Sequence, residues 1–334
     1  MSPKIRAILY LVLTAVIWGL SFPIGRHALD TISPMALSTF RYMFGALAVM
    51  PLAMRWRHRQ ALGSYLEVDA PLLWLKAGFM SGVLMTAGTA LQLYGLAHST
   101  AGKAGFLTCL YLSLVPVLAF VSGYVPRLMV WVGLVMGLAG LYLLTGAGTG
   151  GESFGLSGSD GLILVADIFW ALQVLVTGQY ALRVNTWLFM FAQTFVCFVL
   201  SMIIMIFTGG TPSWSDFLAT LVGTGWGILS VGVGFALQTV AQRHVSATTA
   251  SLILPFQAVV GAVAGVIFLN ETMTTSMIMG AVVLILGSFV AQFAKDPVLI
   301  SKEDKNWKTI MALRIFTAGV IGGGGIFLLI RAVF

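Results

Sequence analysis

Long apolar runs recur every twenty to thirty residues along this 334-residue chain, and no other feature limits its fold as strongly. Each run is long enough to cross a hydrocarbon layer about 30 Å thick as a helix. Backbone amides cannot go unpaired in lipid, so spanning segments are helices or closed barrel strands. The runs are continuous rather than alternating, which selects helices. Composition agrees, since 59% of residues are hydrophobic and 9% are charged, too few charges to keep a soluble protein of this size dispersed. Ten spans are predicted, near 5–25, 34–54, 77–97, 104–123, 129–146, 161–181, 186–207, 218–240, 247–268 and 276–294. The expected fold class is an all-α polytopic membrane protein.

Charge sets the expected orientation. With the amino terminus in the cytoplasm, thirteen Lys and Arg fall on the inner side, from Lys4 and Arg6 through Arg55, Arg57, Arg59 and Lys76 to Lys305 and Lys308. The outer loops then receive only Arg26 and Lys103, with Arg331 a third if the last apolar stretch spans. Cytoplasmic loops carry excess Lys and Arg, so the amino terminus is expected inside. The net charge of +7 follows as a basic face beside anionic lipid. The bases are spread over many short loops, which argues against nucleic acid as a partner. The start, MSPKIRAILYLVLTAVIWGLSF, reads as a retained first span because no small-residue cleavage site precedes a polar segment. Cys109 and Cys197 both lie in apolar runs without metal-ligand spacing and read as small buried side chains.

The chain also repeats itself. Residues 88–104 and 234–250 align without a gap and share seven of seventeen residues: Gly88 with Gly234, Gln92 with Gln238, His98 with His244, and four others. With one residue inserted, Gly133 and Gly140 meet Gly280 and Gly287. Chance in an Ala- and Leu-rich sequence does not readily match Gln and His as well. Spans 1–5 and 6–10 therefore read as two copies of one unit, residues 1–147 and 148–295, with 296–334 as a cytoplasmic linker and a further hydrophobic stretch. Five is odd, so the second copy enters the membrane in the opposite sense. Such inverted repeats surround a central site in transporters, each half able to adopt the shape of the other.

Several motifs carry a resemblance. Trp18-Gly19-Leu20-Ser21-Phe22, Arg41 with Gly45-Ala46-Leu47, Ala97-His98-Ser99-Thr100-Ala101-Gly102 leading to Pro116, and Ser246-Ala247-Thr248-Thr249-Ala250-Ser251-Leu252 follow in order. Phe268-Leu269-Asn270-Glu271 closes the series with Asn where Gly is usual, and Gly123-Tyr124-Val125-Pro126-Arg127 lacks the matching glutamate. Over residues 5–294 the pattern resembles the drug/metabolite transporter superfamily in its ten-helix EamA-type form. Within it, the chain looks most like the bacterial aromatic amino acid exporters of the YddG type. The resemblance implies a basket of helices around a cavity lined mainly by spans 1, 3, 4, 6, 8 and 9. The expected setting is a bacterial inner membrane, with a small molecule and the bilayer as partners, no cofactor or metal, and a monomer as the expected state.

Polar side chains inside spans are costly unless they face protein or water. Gln92 and Gln238 are repeat mates, Tyr111 and Gln257 fall opposite each other in the alignment, and Gln173 sits three residues past Trp170. Amides offer donors and acceptors to a zwitterion. Trp18, Phe22, Tyr94, Tyr111 and Trp170 offer flat apolar faces. These nine positions are the candidate substrate contacts; the alternative is that the amides bridge helices and the aromatics form interfacial belts. Arg41 and Asp167 lie at similar depth, either as a structural ion pair, as a snorkelling Arg41, or with Asp167 as a proton-sensitive group. Pro116 and Pro255 interrupt spans 4 and 9 and permit bends. Residues 310–330, with Gly322 to Gly325 in a row, read either as an eleventh span or as an appended segment.

The expected function is export of a small amphipathic metabolite, an amino acid, by alternating access. A proton-coupled exporter of cationic drugs would need a carboxylate deep in the cavity, for which Asp167 is the candidate. A nucleotide-sugar carrier would need several cavity Lys or Arg. A membrane enzyme would need paired carboxylates or a His-rich cluster, and the spans carry neither.

Overall fold

A computed structural model describes residues 2–61, 72–99, 101–122, 124–125, 128–144, 158–269, 274–292 and 298–299. The elements are α1 (Pro3–Ala28), α2 (Pro34–Ala61), α3 (Leu73–Leu96), α4 (Ala101–Thr108), α5 (Tyr111–Ser122), α6 (Leu128–Leu144), α7 (Gly158–Tyr180), α8 (Thr186–Phe207), α9 (Trp214–Ala219) and α10 (Leu221–Gly225). A π-helical stretch, Ile228–Gly234, leads into α11 (Phe235–Ala241), and α12 (Ala247–Ile253), α13 (Phe256–Leu269) and α14 (Thr275–Gln292) complete the helices. The described strand structure is one two-residue antiparallel pairing, Tyr124 with Leu299 and Val125 with Val298. Asn270, Glu271, Pro126, Arg127 and the stretch 310–330 lie outside the described residues.

Six stretches are long and apolar enough to cross a membrane: Pro3–Ala28, Pro34–Arg57, Gly158–Tyr180, Thr186–Phe207, Leu221–Ala241 and Ala247–Leu269. Leu128–Gly140 and Ile278–Gly287 are shorter apolar helices. Large apolar side chains such as Leu9, Phe79, Phe207, Val222 and Phe268 stand exposed on the outside, as a lipid-facing surface requires. The chain is an all-helical, polytopic membrane protein.

Helix association in lipid rests on close packing rather than on escape from water, so small residues mark the contacts. On α3, Gly78 and Gly82 lie one turn apart against Ala192 and Val196 of α8, where any side chain would overlap. Gly227 lies so close to the Arg41 backbone of α2 that a methyl group has no room. Gly19 of α1 packs against Val260 of α13 in the same way, and Gly287 of α14 against Gly133 and Met136 of α6. Across the bundle, α2 packs on α8, α3 on both α7 and α8, α1 on α13, and α6 on α14.

Caps fix where helices begin. The Asn185 side chain accepts from the amides of Trp187 and Leu188, and the Ser246 hydroxyl from that of Thr249. Two long stretches are broken near their middles. One breaks between Ile253 and Phe256, at Pro255, as expected. The other breaks at Cys109 and Leu110, not at Pro116, which lies inside α5. Cys109 and Pro255 are 146 positions apart, the same offset that relates Gly88 to Gly234. The first break thus needs no proline: tight i→i−3 bonds from Cys109 N to Phe106 O and from Leu110 N to Leu107 O, both 3.0 Å, hold the turn. The two breaks touch, with the Cys109 thiol donating to the Pro255 carbonyl at 3.7 Å.

Candidate functional site

Between the helices lies a partly open cavity with about 700 Å³ of empty space, its mouth included. Trp18, Phe22, Arg41, Gln92, Tyr111, Trp170 and Gln257, all singled out from the sequence, line it. So do Tyr42, Thr89, Thr108, Ser230 and Phe235, which sequence reasoning missed. Thr89 and Phe235 each follow a glycine of the aligned pair Gly88 and Gly234, a signal that was readable. Tyr42 follows Arg41, and its hydroxyl pairs with that of Thr89 at 2.8 Å.

Two tryptophans form the apolar wall. The Trp18 ring tilts against Phe235 with centroids 4.8 Å apart, and Trp170 stacks on the same Phe235 at 6.1 Å. Trp170 leans on Gly88, where a Cβ would come 3.1 Å from its ring, and Trp18 leans on Gly234. Trp18 Nε1 donates to the Ser230 carbonyl at 2.8 Å. That carbonyl lies in the π-helical stretch, where the widened turn disturbs the regular i→i−4 ladder and lets a carbonyl turn outward.

The polar wall is built from hydroxyls, amides and one cation. Gln92 Nε2 donates to Thr108 Oγ1 at 2.9 Å, across from α3 to α4. Gln257 Nε2 lies 3.9 Å from Cys109 Sγ. Arg41 Nη2 donates to Ser230 Oγ at 2.9 Å, while its Nε has no partner. Among the described residues the cavity lining holds no carboxylate.

The remaining candidates stand elsewhere. Tyr94 is not part of the lining; it packs on the apolar cluster of Phe22, Leu93 and Ile163, behind two residues that are. Gln173 shares the α7 helix with Trp170 but is buried, and its Nε2 donates to Thr177 Oγ1 at 2.9 Å. Spacing of three residues placed it one turn from Trp170 without turning it to the cavity. Gln238 is fully buried with neither amide atom bonded. Asp167 is buried with neither carboxyl oxygen bonded, and no ion pair joins it to Arg41.

A helical bundle with lipid-facing apolar sides around a mostly apolar cavity carrying a few polar groups defines a polytopic membrane protein with a cavity of the form that small-molecule sites take. The EamA-like transporter family matches residues 5–146 and 158–293, and the chain belongs to that family, within the drug/metabolite transporter superfamily. It is similar to an uncharacterised transporter of Archaeoglobus fulgidus, 27% identical over 291 residues that make up 86% of each chain. It is also similar to the uncharacterised transporter YvbV of Bacillus subtilis strain 168, 24% identical over 292 residues, 85% of this chain and 90% of that one. A chain of known crystal structure shares the fold with a TM-score of 0.64, at 18% identity, over 86% of this chain and 98% of its own. The protein is a transporter.

Proposed function

We propose that this transporter exports small amphipathic metabolites, amino acids with aromatic or other neutral side chains, across a bacterial inner membrane by alternating access. Ten spans form two five-helix units, residues 1–147 and 148–295, inverted relative to each other, with the amino terminus in the cytoplasm. The observation that carries this reading is the crossed pairing at the cavity: Trp170 on Gly88 and Trp18 on Gly234, two glycines that the repeat makes equivalent. A pseudo-two-fold axis through the cavity exchanges one contact for the other. The matching helix breaks at Cys109 and Pro255, and a family match that falls in two stretches of similar length, support the same axis.

The lining also suggests a state. It takes residues 18–22 of α1, 38–42 of α2 and 89–96 of α3, which fall toward the ends that a cytoplasmic amino terminus places outside. The arrangement is then outward-open, with the inner half of the bundle packed shut. A flat aromatic wall facing amides and hydroxyls suits a ligand with an apolar body and a polar head. A cation-drug exporter would need a carboxylate in the lining, and the described lining has none. Counterflow in proteoliposomes with labelled amino acids and organic cations, with and without a pH gradient, tests the reading. Exchange of neutral amino acids is expected. Exchange confined to cations and driven by protons would replace the reading with the drug-exporter one.

A further inference from the structure

We infer that the cavity selects its ligand by a carboxylate, with Arg41 as the counter-charge, and that an ammonium group on the ligand is dispensable. The inference rests on the reading of the cavity as the transported molecule's site. Arg41 carries a permanent charge and five N–H donors. Among the described residues it makes one hydrogen bond, to Ser230 Oγ, and no carboxylate lies within ion-pair distance of it. A membrane-embedded cation without an anion is expensive and marks a functional position.

A purely structural role for Arg41 can be weighed within the same molecule. Arg41 stands eight positions after Ser33, whose hydroxyl caps α2, and Gln193 stands eight positions after Asn185, which caps α8. Gln193 makes the corresponding bridge, accepting from Ser81 of α3 at 2.7 Å, as Arg41 bridges to Ser230. A neutral amide therefore suffices to tie these helices together. The charge in the first unit exceeds what the bridge needs, and it faces the cavity while Gln193 is fully buried. The guanidinium fork matches the two oxygens of a carboxylate. Nothing equivalent awaits an ammonium: the described lining has no acidic side chain, and Asp167 is not part of it. The Trp18, Trp170 and Phe235 faces take the apolar body.

The test uses the full-length purified protein and three probes that share one ring: phenylalanine, 3-phenylpropionate, which lacks the ammonium, and phenethylamine, which lacks the carboxylate. Affinities come from titration of intrinsic tryptophan fluorescence or calorimetry. The two carboxylates are expected to bind within about tenfold of each other, and phenethylamine about 10- to 100-fold more weakly, the range of a charged hydrogen bond. Arg41→Gln copies the residue at the equivalent position, so it is expected to fold, checked by its elution profile. It should weaken both carboxylates by a similar factor and leave phenethylamine unchanged, with Arg41→Lys between. Phenethylamine binding as tightly as phenylpropionate, or carboxylate binding indifferent to Arg41→Gln, overturns the inference. Arg41-dependent binding without any counterflow would leave the anion site standing and sink the transport reading. Counterflow with no Arg41 dependence would do the reverse, and failure of all three probes to bind overturns both.

Discussion

Gly234→Ala and Gly88→Ala are the same change at equivalent places, and the structure predicts a loss at the first and almost no effect at the second. At Gly234 an added Cβ would stand 2.5 Å from Trp18 Nε1 and 3.2 Å from Cδ1. An ordinary contact needs about 3.5 Å, so the indole must retreat by roughly 1 Å. That retreat stretches the 2.8 Å bond from Nε1 to the Ser230 carbonyl past hydrogen-bonding range. Overpacking costs about 1–3 kcal/mol and a buried carbonyl left without its donor about 1–3 kcal/mol. The helical gain of Ala over Gly returns about 1 kcal/mol, for a net loss of roughly 1–5 kcal/mol. At Gly88 the Cβ would meet Trp170 at 3.1–3.3 Å, a few tenths of an ångström too close, and Trp170 Nε1 has no bond to lose. There the helical gain offsets the squeeze, and the net effect is within about 1 kcal/mol of zero.

Thermal unfolding in detergent and titration with a bound carboxylate read both effects. Gly234→Ala should lower the apparent melting temperature by several degrees and weaken binding about tenfold or more, because Trp18 forms the cavity wall. Gly88→Ala should leave both near the parent values. The double variant Trp18→Phe with Gly234→Ala should recover part of the lost melting temperature, since the smaller ring vacates the space. Equal losses in the two single variants, or none in Gly234→Ala, would refute the crossed packing at the cavity.

Gly227→Ala should abolish folding, measured as loss of a monodisperse peak, because its Cβ would overlap the Arg41 backbone of α2. Ser81→Ala removes the 2.7 Å donor to buried Gln193 Oε1 and should cost about 1–3 kcal/mol in the same unfolding assay without changing ligand selectivity. Gln238→Leu should raise the melting temperature or leave it unchanged, since neither amide atom is bonded, while lowering the turnover measured by counterflow. Asp167→Asn should flatten the pH dependence of transport if that carboxyl takes part in coupling, and an unchanged profile would assign it to packing.

How much was legible follows from what each signal measures. Membrane class and the positions of six of the ten expected spans were readable because apolar length is a one-dimensional property: the 161–181 and 186–207 runs, for example, became Gly158–Tyr180 and Thr186–Phe207. The cavity was half readable. Gln92, Tyr111 and Gln257 reach it, as the repeat alignment suggested, while Gln173 and Gln238 do not. Hydropathy treats every amide in a span alike, and only packing decides which side of a helix meets the hollow. Ser230 was missed because its importance comes from the π-helical stretch, whose extra residue per turn leaves no compositional mark. An interruption of span 4 was expected at Pro116 because proline is a visible breaker, whereas a turn held by i→i−3 backbone bonds at Cys109 and Leu110 leaves no such mark.

The mismatches between the two halves carry more information than the matches. Gln92 rests on Thr108, while the residue at the position equivalent to Thr108 is Leu254, so Gln238 has no hydroxyl to rest on. In the arrangement seen here Gln92 lines the cavity and Gln238 is buried unbonded. On the alternating-access reading, rocking the halves exchanges their surroundings. Gln238 would then meet the cavity and its water, and Gln92 would be buried with its partner kept. An unbonded buried amide costs about 1–3 kcal/mol, so this one asymmetry tilts the empty protein toward the opposite, inward-open state by roughly 5- to 150-fold. A ligand carboxylate on Arg41, which has no cationic counterpart at Gln193, pulls the other way and favours the outward-open state. Gln238→Leu should therefore shift the unliganded protein outward, measurable as greater labelling of a cysteine placed at Ser21, a half-buried residue of the lining, by a membrane-impermeant maleimide, and Arg41→Gln should remove the further increase that a carboxylate produces. If Ser21 labelling responds to neither change, the two asymmetries do not govern access.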